Sequence, residues 1–268
     1  MNPNRPRLVQ VASWQDVSPH LRRIVFHSEE LADYPYAFNG APMKVFLPAD
    51  GQTVPNFPEM TPTGPKWAEG VQRPFVRTYT VRDFDRQANT LTIDFVLHGD
   101  NGPASAFAER VQTGQTIGVS ASRGRDEMLK PAAEYLMVGD LTSLPAIESM
   151  LLDMDAGARG NVFMLLPENE TLPSTFRHPQ GVNVHTVYAE PEQYSNIIEQ
   201  VRQVRPTSDD CYVWIAGEAA MVGVLRDLIR KGWQLSIKQC YAVPYWRSGE
   251  TEEKYHQKRH DFMDSDAE

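Results

Sequence analysis

The chain has 268 residues, room for one large domain or two of ordinary size, and its 41% hydrophobic and 23% charged content excludes a disordered or collagen-like protein. A formal net charge of -9 argues against a general nucleic-acid binder, which needs a cationic face, so any anionic ligand must be held by local basic groups. Only Cys211 and Cys240 are present, with no CxxC pair, no membrane-length apolar run and no signal-peptide core, which excludes a zinc or disulfide framework and predicts a cytoplasmic protein that enters no membrane.

From the N-terminus, RPRLVQVASWQDV, LRRIVFHSEE, PMKVFLPA, RTYTVRDFD, TLTIDFVLH and QTIGVSASRG alternate like antiparallel strands, separated by Pro, Gly, Asn and Asp turns. Short strands at such spacing predict a small barrel. Residues 50–72 carry too many prolines for a sheet interior and read as a long surface loop. GPASAFAERV reads as a short amphipathic helix. After about Lys130 the rhythm changes to apolar strands and helices: EYLMVGD then SLPAIESMLLDM, NVFMLLPE, VNVHTVYAE then PEQYSNIIEQVRQV, and CYVWIAGE then AAMVGVLRDLIRKG. Fully apolar strands alternating with helices predict a parallel sheet covered on both faces. The boundary therefore falls near Pro131, dividing the chain into 1–130 and 131–268, and the mixed charges of SGETEEKYHQKRHDFMDSDAE predict a solvated helical tail or a frayed end. Cys211, within an apolar run, reads as a small hydrophobe.

RPFVRTYTVR, residues 73–82, groups three arginines around two alternating runs. A strand exposes every second residue on one face, so Arg77, Tyr79 and Val81 share a side and Thr80 and Arg82 share the other. An aromatic beside an arginine can stack a flat ring and pair with a phosphate, while a hydroxyl opposite can reach a heteroatom; an amphipathic strand with solvated arginines accounts for the local pattern equally well. HGDNGPASAF then sets two glycines before a small-residue helix start, where the amides of Ala104 and Ser105 could hold a pyrophosphate and the serine hydroxyl could add a contact. Glycine turns before helices more often only cap them.

Taken in order, RTYTVR, HGDNGPASAF, VGDLTSLPAIESML, WIAGE and YWRSG resemble the siderophore-interacting proteins, the flavin-dependent ferric-siderophore reductases of the ferredoxin-reductase-like superfamily, over essentially the whole chain. The resemblance implies an antiparallel flavin-binding β-barrel followed by a parallel-sheet α/β nicotinamide-binding domain, with FAD held non-covalently. Arg77, Tyr79, Thr80 and Arg82 match the family's flavin strand, and His98, Gly102, Ala104 and Ser105 its pyrophosphate and adenosine turn. Gly139, Asp140, Thr142, Ser143, Leu144 and Pro145 stand where the superfamily has a glycine-rich nicotinamide turn, but acidic Asp140 would repel a phosphate, so this loop is expected to shape the nicotinamide pocket. A simple strand-to-helix connection capped by Thr142 or Ser143 is the alternative. Ala216, Gly217 and Glu218 close an apolar strand at the end where open α/β sheets bind ligands. Glu218 could face the nicotinamide or merely compensate a helix dipole, and Trp246 of YWRSG joins the expected cofactor contacts. For the iron complex, Lys44 and Arg123 match basic positions of the family, with Lys238 or Arg247 as the third.

The implied activity is an FAD-dependent NAD(P)H ferric-siderophore oxidoreductase: electrons pass from NADH or NADPH through FAD to Fe(III) in an anionic siderophore, and no protein group ligates metal. His256 and His260, at i, i+4 spacing, are read as accidental. A cation after the second strand of the nucleotide domain would signal a 2'-phosphate, but Pro167, Glu168 and Glu170 stand there, which leans to NADH; ferredoxin is an alternative donor. A monomer is expected. Two rival readings share the fold: a flavin or ferredoxin reductase with no siderophore substrate, and a siderophore-binding protein without a working flavin.

Overall fold

The computed structural model describes residues 4–61, 64–99, 102–122, 128–190, 192–252, 254–255, 258 and 261–262. The chain divides into two compact units, Met1–Glu127 and Met128–Glu268.

The first unit holds strands β1 (Arg7–Ser18), β2 (Leu21–His27), β3 (Pro42–Leu47), β4 (Glu59–Thr61), β5 (Gly64–Lys66), β6 (Phe75–Thr80), β7 (Asp83–Asp85), β8 (Thr90–Val96) and β9 (Thr116–Val119), with helix α1 (Pro103–Glu109) before the last. β4 and β5 form a separate two-stranded ribbon inside the proline-rich segment expected to be a loop. The other seven strands form one sheet in the order β6-β3-β9-β1-β2-β8-β7. Its two outermost strands, β6 and β7, are separated in the chain by only Val81 and Arg82. RTYTVRDFD is therefore not one strand but two: its first half pairs with β3, its second with β8. Between them the Val81 amide donates to the Ala41 carbonyl at 2.9 Å and the Arg82 amide to the Thr92 carbonyl at 3.0 Å. One continuous stretch thus carries both outermost strands and brings the two ends of the sheet together in a barrel-like curl.

Alternation sets the barrel core. Leu91, Ile93 and Phe95 of β8 face inward with Ile24 and Phe26 of β2, Met43 and Val45 of β3, and Val81 at the seam, all 2% exposed or less. A second anchor sits at the chain start. Arg7 is fully buried and donates to the carbonyls of Arg5, Glu30 and Asp33 as well as to the Asp33 carboxylate, which also pairs with Arg5. Hydrogen bonds from Arg5 and Arg7 hold the Asp33 carboxyl at about 2, below its ordinary 3.8. Because the folded value is the lower one, this linkage stabilises fully above 3.8 and is lost as the pH falls through about 2. A carbon-detected NMR titration is expected to place the Asp33 midpoint near 2; a midpoint at the ordinary carboxyl value would show that these pairs do not form.

In the second unit, β10 (Glu134–Asp140), β11 (Arg159–Leu166), β12 (Gly181–Tyr188), β13 (Cys211–Glu218) and β14 (Cys240–Trp246) run parallel in the order β12-β11-β10-β13-β14, with helices α2 (Leu144–Asp153), α3 (Ser195–Arg202) and α4 (Ala219–Asp227) between them. All eight residues of β13 are buried, as a strand covered on both faces requires. β14 is a fifth parallel strand, not among those read from the sequence; its Pro244, which has no amide to donate, is tolerated because β14 lies at the sheet edge. The strand order reverses between β10 and β13, which makes their carboxyl ends the switch point where ligands bind open sheets of this kind.

The tail is more than a solvated helix. Its described residues from 252 to 262 are helical, Tyr255 is 3% exposed, and the Arg226 guanidinium of α4 lies 3.6 Å from the Phe262 ring centre while donating to the Phe262 carbonyl at 3.1 Å.

Candidate functional site

Two groups of the expected residues occupy defined places, one in each unit. In the barrel, β6 lies antiparallel to β3, with Arg77 opposite Val45, Thr78 opposite Lys44, Tyr79 opposite Met43 and Thr80 opposite Pro42. Met43 and Val45 point into the core, so Arg77 and Tyr79 share the inward-turned face of a terminal strand and stay half-buried there. The Tyr79 ring packs on Phe95, centroids 4.4 Å apart, which backs the ring from the protein side. Arg77 Nη1 donates to the Val76 carbonyl at 2.8 Å. On the opposite face Lys44 Nζ donates to Thr78 Oγ1 at 2.6 Å, alongside buried Thr80. Arg82 lies beyond the strand, at the seam, 3.8 Å from Asp94, whose carboxylate is gripped by both arms of Arg23 at 2.7 Å. Two arginines around one buried carboxylate leave a net positive charge in an acidic protein.

In the turn before α1, Ser105 is 1% exposed and its Oγ accepts the His98 amide at 2.9 Å, which ties the end of β8 to α1. By helix geometry the amides of Ala104 and Ser105 still lack intrahelical acceptors. Gly102 caps the helix in an extended conformation and a Cβ there would meet only His98 Cε1 at 3.8 Å; Gly99, at φ +75, the other glycine of HGDNGPASAF, is the one whose backbone conformation requires glycine. Arg123 lies outside the described residues.

At the switch point of the parallel sheet, Asp140 is 4% exposed and accepts four hydrogen bonds: Oδ1 from the Thr142 amide at 2.9 Å and hydroxyl at 2.5 Å, Oδ2 from the Glu218 amide and from Trp246 Nε1, both at 2.8 Å. Burial pushes its carboxyl above the ordinary value while these bonds pull the other way. Glu218 is the N-cap of α4, not a member of its first turn: Oε2 accepts the amides of Ala220 and Met221, and Oε1 that of Ser248 at 3.3 Å. Ser143 stands at the N-cap of α2 but makes no side-chain cap; its hydroxyl donates to the Asp140 carbonyl at 2.9 Å. A Cβ on Gly217, at φ +143, would lie 2.5 Å from Asp140 Oδ2, so glycine is what lets β13 approach this carboxylate. Asp140, Thr142 and Ser143, expected to shape a nicotinamide pocket, and Glu218 and Trp246, named with them as cofactor contacts, direct these polar atoms at one another and at neighbouring backbone. Their arrangement locks the carboxyl ends of β10, β13 and β14 together.

The two candidates for a third basic contact separate clearly. Arg247 follows Trp246 at this carboxyl end and is exposed, whereas Lys238 precedes β14 at the opposite end, roughly 20 Å away along a seven-residue strand. Lys238 is therefore misplaced for a ligand at the switch point.

Residues 10–126 match the siderophore-interacting FAD-binding domain, and residues 132–249 match the siderophore-interacting protein region. The chain is 31% identical to the ferric vibriobactin reductase ViuB of Vibrio cholerae, over 97% of its own length and 96% of that protein's. It belongs to the siderophore-interacting protein family. A second relative, the NADPH-dependent ferric-chelate reductase of Escherichia coli, is 29% identical over 92% of this chain and 95% of that one. Among solved structures, the siderophore-interacting protein SipS from Aeromonas hydrophila superposes with a TM-score of 0.85 at 42% identity, covering 98% of this chain and 99% of that one. Phthalate dioxygenase reductase, at 15% identity and a TM-score of 0.60 over 93% of this chain and 70% of that one, shares the ferredoxin-reductase-like fold. The family regions embrace the Arg77–Tyr79 strand, the Asp140 cluster and Arg247; the tail from Glu250 onward lies beyond the matched segment.

The barrel residues suit a flavin dinucleotide. A half-buried aromatic ring backed by Phe95, an arginine two residues before it on the same face, and helix-start amides at Ala104 and Ser105 supply a stacking surface and anion-binding groups.

Proposed function

We propose that the protein is a flavin-dependent ferric-siderophore reductase. The observation that carries this reading is the half-buried Arg77–Tyr79 pair on the terminal strand of a barrel whose sequence matches a siderophore-interacting FAD-binding domain. In this reading Tyr79 stacks the flavin ring, Arg77 pairs with its phosphates, Thr80 and Arg82 complete the strand's contacts, and His98, Gly102, Ala104 and the Ser105 amide hold the remainder of the cofactor. When bound, FAD accepts electrons from a two-electron donor and passes them singly to ferric iron. Lys44 and Arg123 in the first unit, and Arg247 in the second, are each read as basic groups able to attract an anionic chelate against the overall charge of -9. No general base is needed, since a chelator built for ferric iron holds ferrous iron far more weakly and reduction itself releases the metal.

For the donor, we infer NADH in preference to NADPH. β11 ends at Leu166 and is followed by Pro167, exposed Glu168 and buried Glu170, which offer no cation to a 2'-phosphate. Anaerobic stopped-flow mixing of the FAD-loaded protein with NADH or NADPH, then with ferric chelates, tests both parts. NADPH is expected to reduce the flavin no faster than NADH, and an anionic ferric siderophore to reoxidise it faster than it reoxidises free FAD. Reoxidation no faster than that of free flavin would sink the substrate assignment.

A further inference from the structure

Just past the carboxyl end of β14 the chain turns, the Glu250 amide donating to the Arg247 carbonyl at 3.1 Å, and sets the Glu250 side chain against Arg247. The contact is loose: Arg247 Nε stands 3.5 Å from Glu250 Oε1 and the arginine side chain is 51% exposed. The same oxygen accepts a hydrogen bond from Lys258 Nζ at 2.6 Å. Lys258 reaches it because the tail is anchored through Tyr255, which is 3% exposed, and Phe262, clasped by Arg226. Helical spacing puts Lys254 and Lys258 on one side of that anchored segment, and Glu250 lies just before the segment begins. The carboxyl of Glu250 sits below its ordinary value chiefly because of Lys258, with smaller pulls from Arg247 and Lys254. Its other oxygen, Oε2, is buried and has no hydrogen-bond partner among the described residues.

Without Lys258, the cation left within ion-pair distance of Glu250 Oε1 among the described residues is Arg247, three residues back and close enough to close the remaining gap, with Lys254 adding only a weaker pull. The guanidinium would then be neutralised by its own chain. We propose that Lys258 is a positioning residue that draws the Glu250 carboxylate away from Arg247 and so keeps that arginine available to an anionic iron complex. The proposal rests on the reading of Arg247 as a substrate contact. It makes the tail, which lies outside the matched family segment, a determinant of substrate charge.

The test is calorimetric titration of the FAD-loaded protein with two redox-inert probes, gallium(III) tris-catecholate, a trianion, and neutral gallium(III) tris-acetohydroxamate. Lys258→Gln is expected to weaken binding of the trianion roughly tenfold at low salt, as loss of one local charge does, and to leave the neutral probe and the flavin content unchanged. Lys258→Gln combined with Glu250→Gln is expected to restore trianion affinity, since nothing then neutralises Arg247. Equal binding of the trianion by Lys258→Gln and the unaltered protein, or equal losses for both probes, would overturn the proposal; so would a double variant that stays weak. Failure of the unaltered protein to bind either probe would instead overturn the siderophore reading itself, and this inference with it, before any variant is compared.

Discussion

Replacing Asp140 by alanine is expected to lower the unfolding free energy by about 4 kcal/mol, because the Thr142 amide and hydroxyl, the Glu218 amide and the Trp246 indole would all lose their acceptor in a buried place. Asp140→Asn keeps the shape but has one accepting oxygen where two are used. Its amide group must face either the Thr142 donors or the Glu218 and Trp246 donors, so a smaller loss, about 2 kcal/mol, is expected. Urea denaturation followed by circular dichroism checks both values. A loss under 1 kcal/mol for the alanine variant would mean that the carboxylate does not join the three strand ends. Gly217→Ala, whose new methyl would fall 2.5 Å from the same carboxylate oxygen, should disturb the same cluster from the opposite side.

Arg77→Ala is expected to weaken FAD retention about tenfold to a hundredfold, the range for a lost charge-assisted contact to phosphate. Combined with Tyr79→Ala, which also removes the stacking surface, it should yield a colourless barrel that remains folded, since both side chains are half-buried on a terminal strand and the buried core beneath them is untouched. Flavin absorbance retained through gel filtration, read beside a thermal melt, separates loss of cofactor from loss of fold. Arg77→Lys keeps a point charge without the planar fork and should fall between the two. A double variant that stays as yellow as the unaltered protein would remove this strand from the flavin site.

Much of this architecture was legible in the residues because burial is written locally. Alternating runs such as TLTIDFVLH could only be strands with one face inward, and CYVWIAGE could only be a strand covered twice; from those two rhythms the barrel, the parallel sheet and the change between them follow. The motif order carried the family, and the comparisons agree with it over nearly the whole chain. Local pattern could not assign partners. Whether RTYTVRDFD is one strand or two depends on its partners, Ala41 in an earlier segment and Thr92 in the next strand, to which the amides of Val81 and Arg82 donate. The role of Asp140 turned on Trp246, 106 residues later, which converts an apparent obstacle to phosphate into the acceptor for four donors. Lys238 and Arg247 looked interchangeable as basic residues until β14 set them at opposite ends of a parallel sheet. Periodicity and composition by themselves determined which faces of each segment leave water. Hydrogen bonds and ion pairs are directional and short in reach, so only the tertiary structure decided which polar groups those faces bring together.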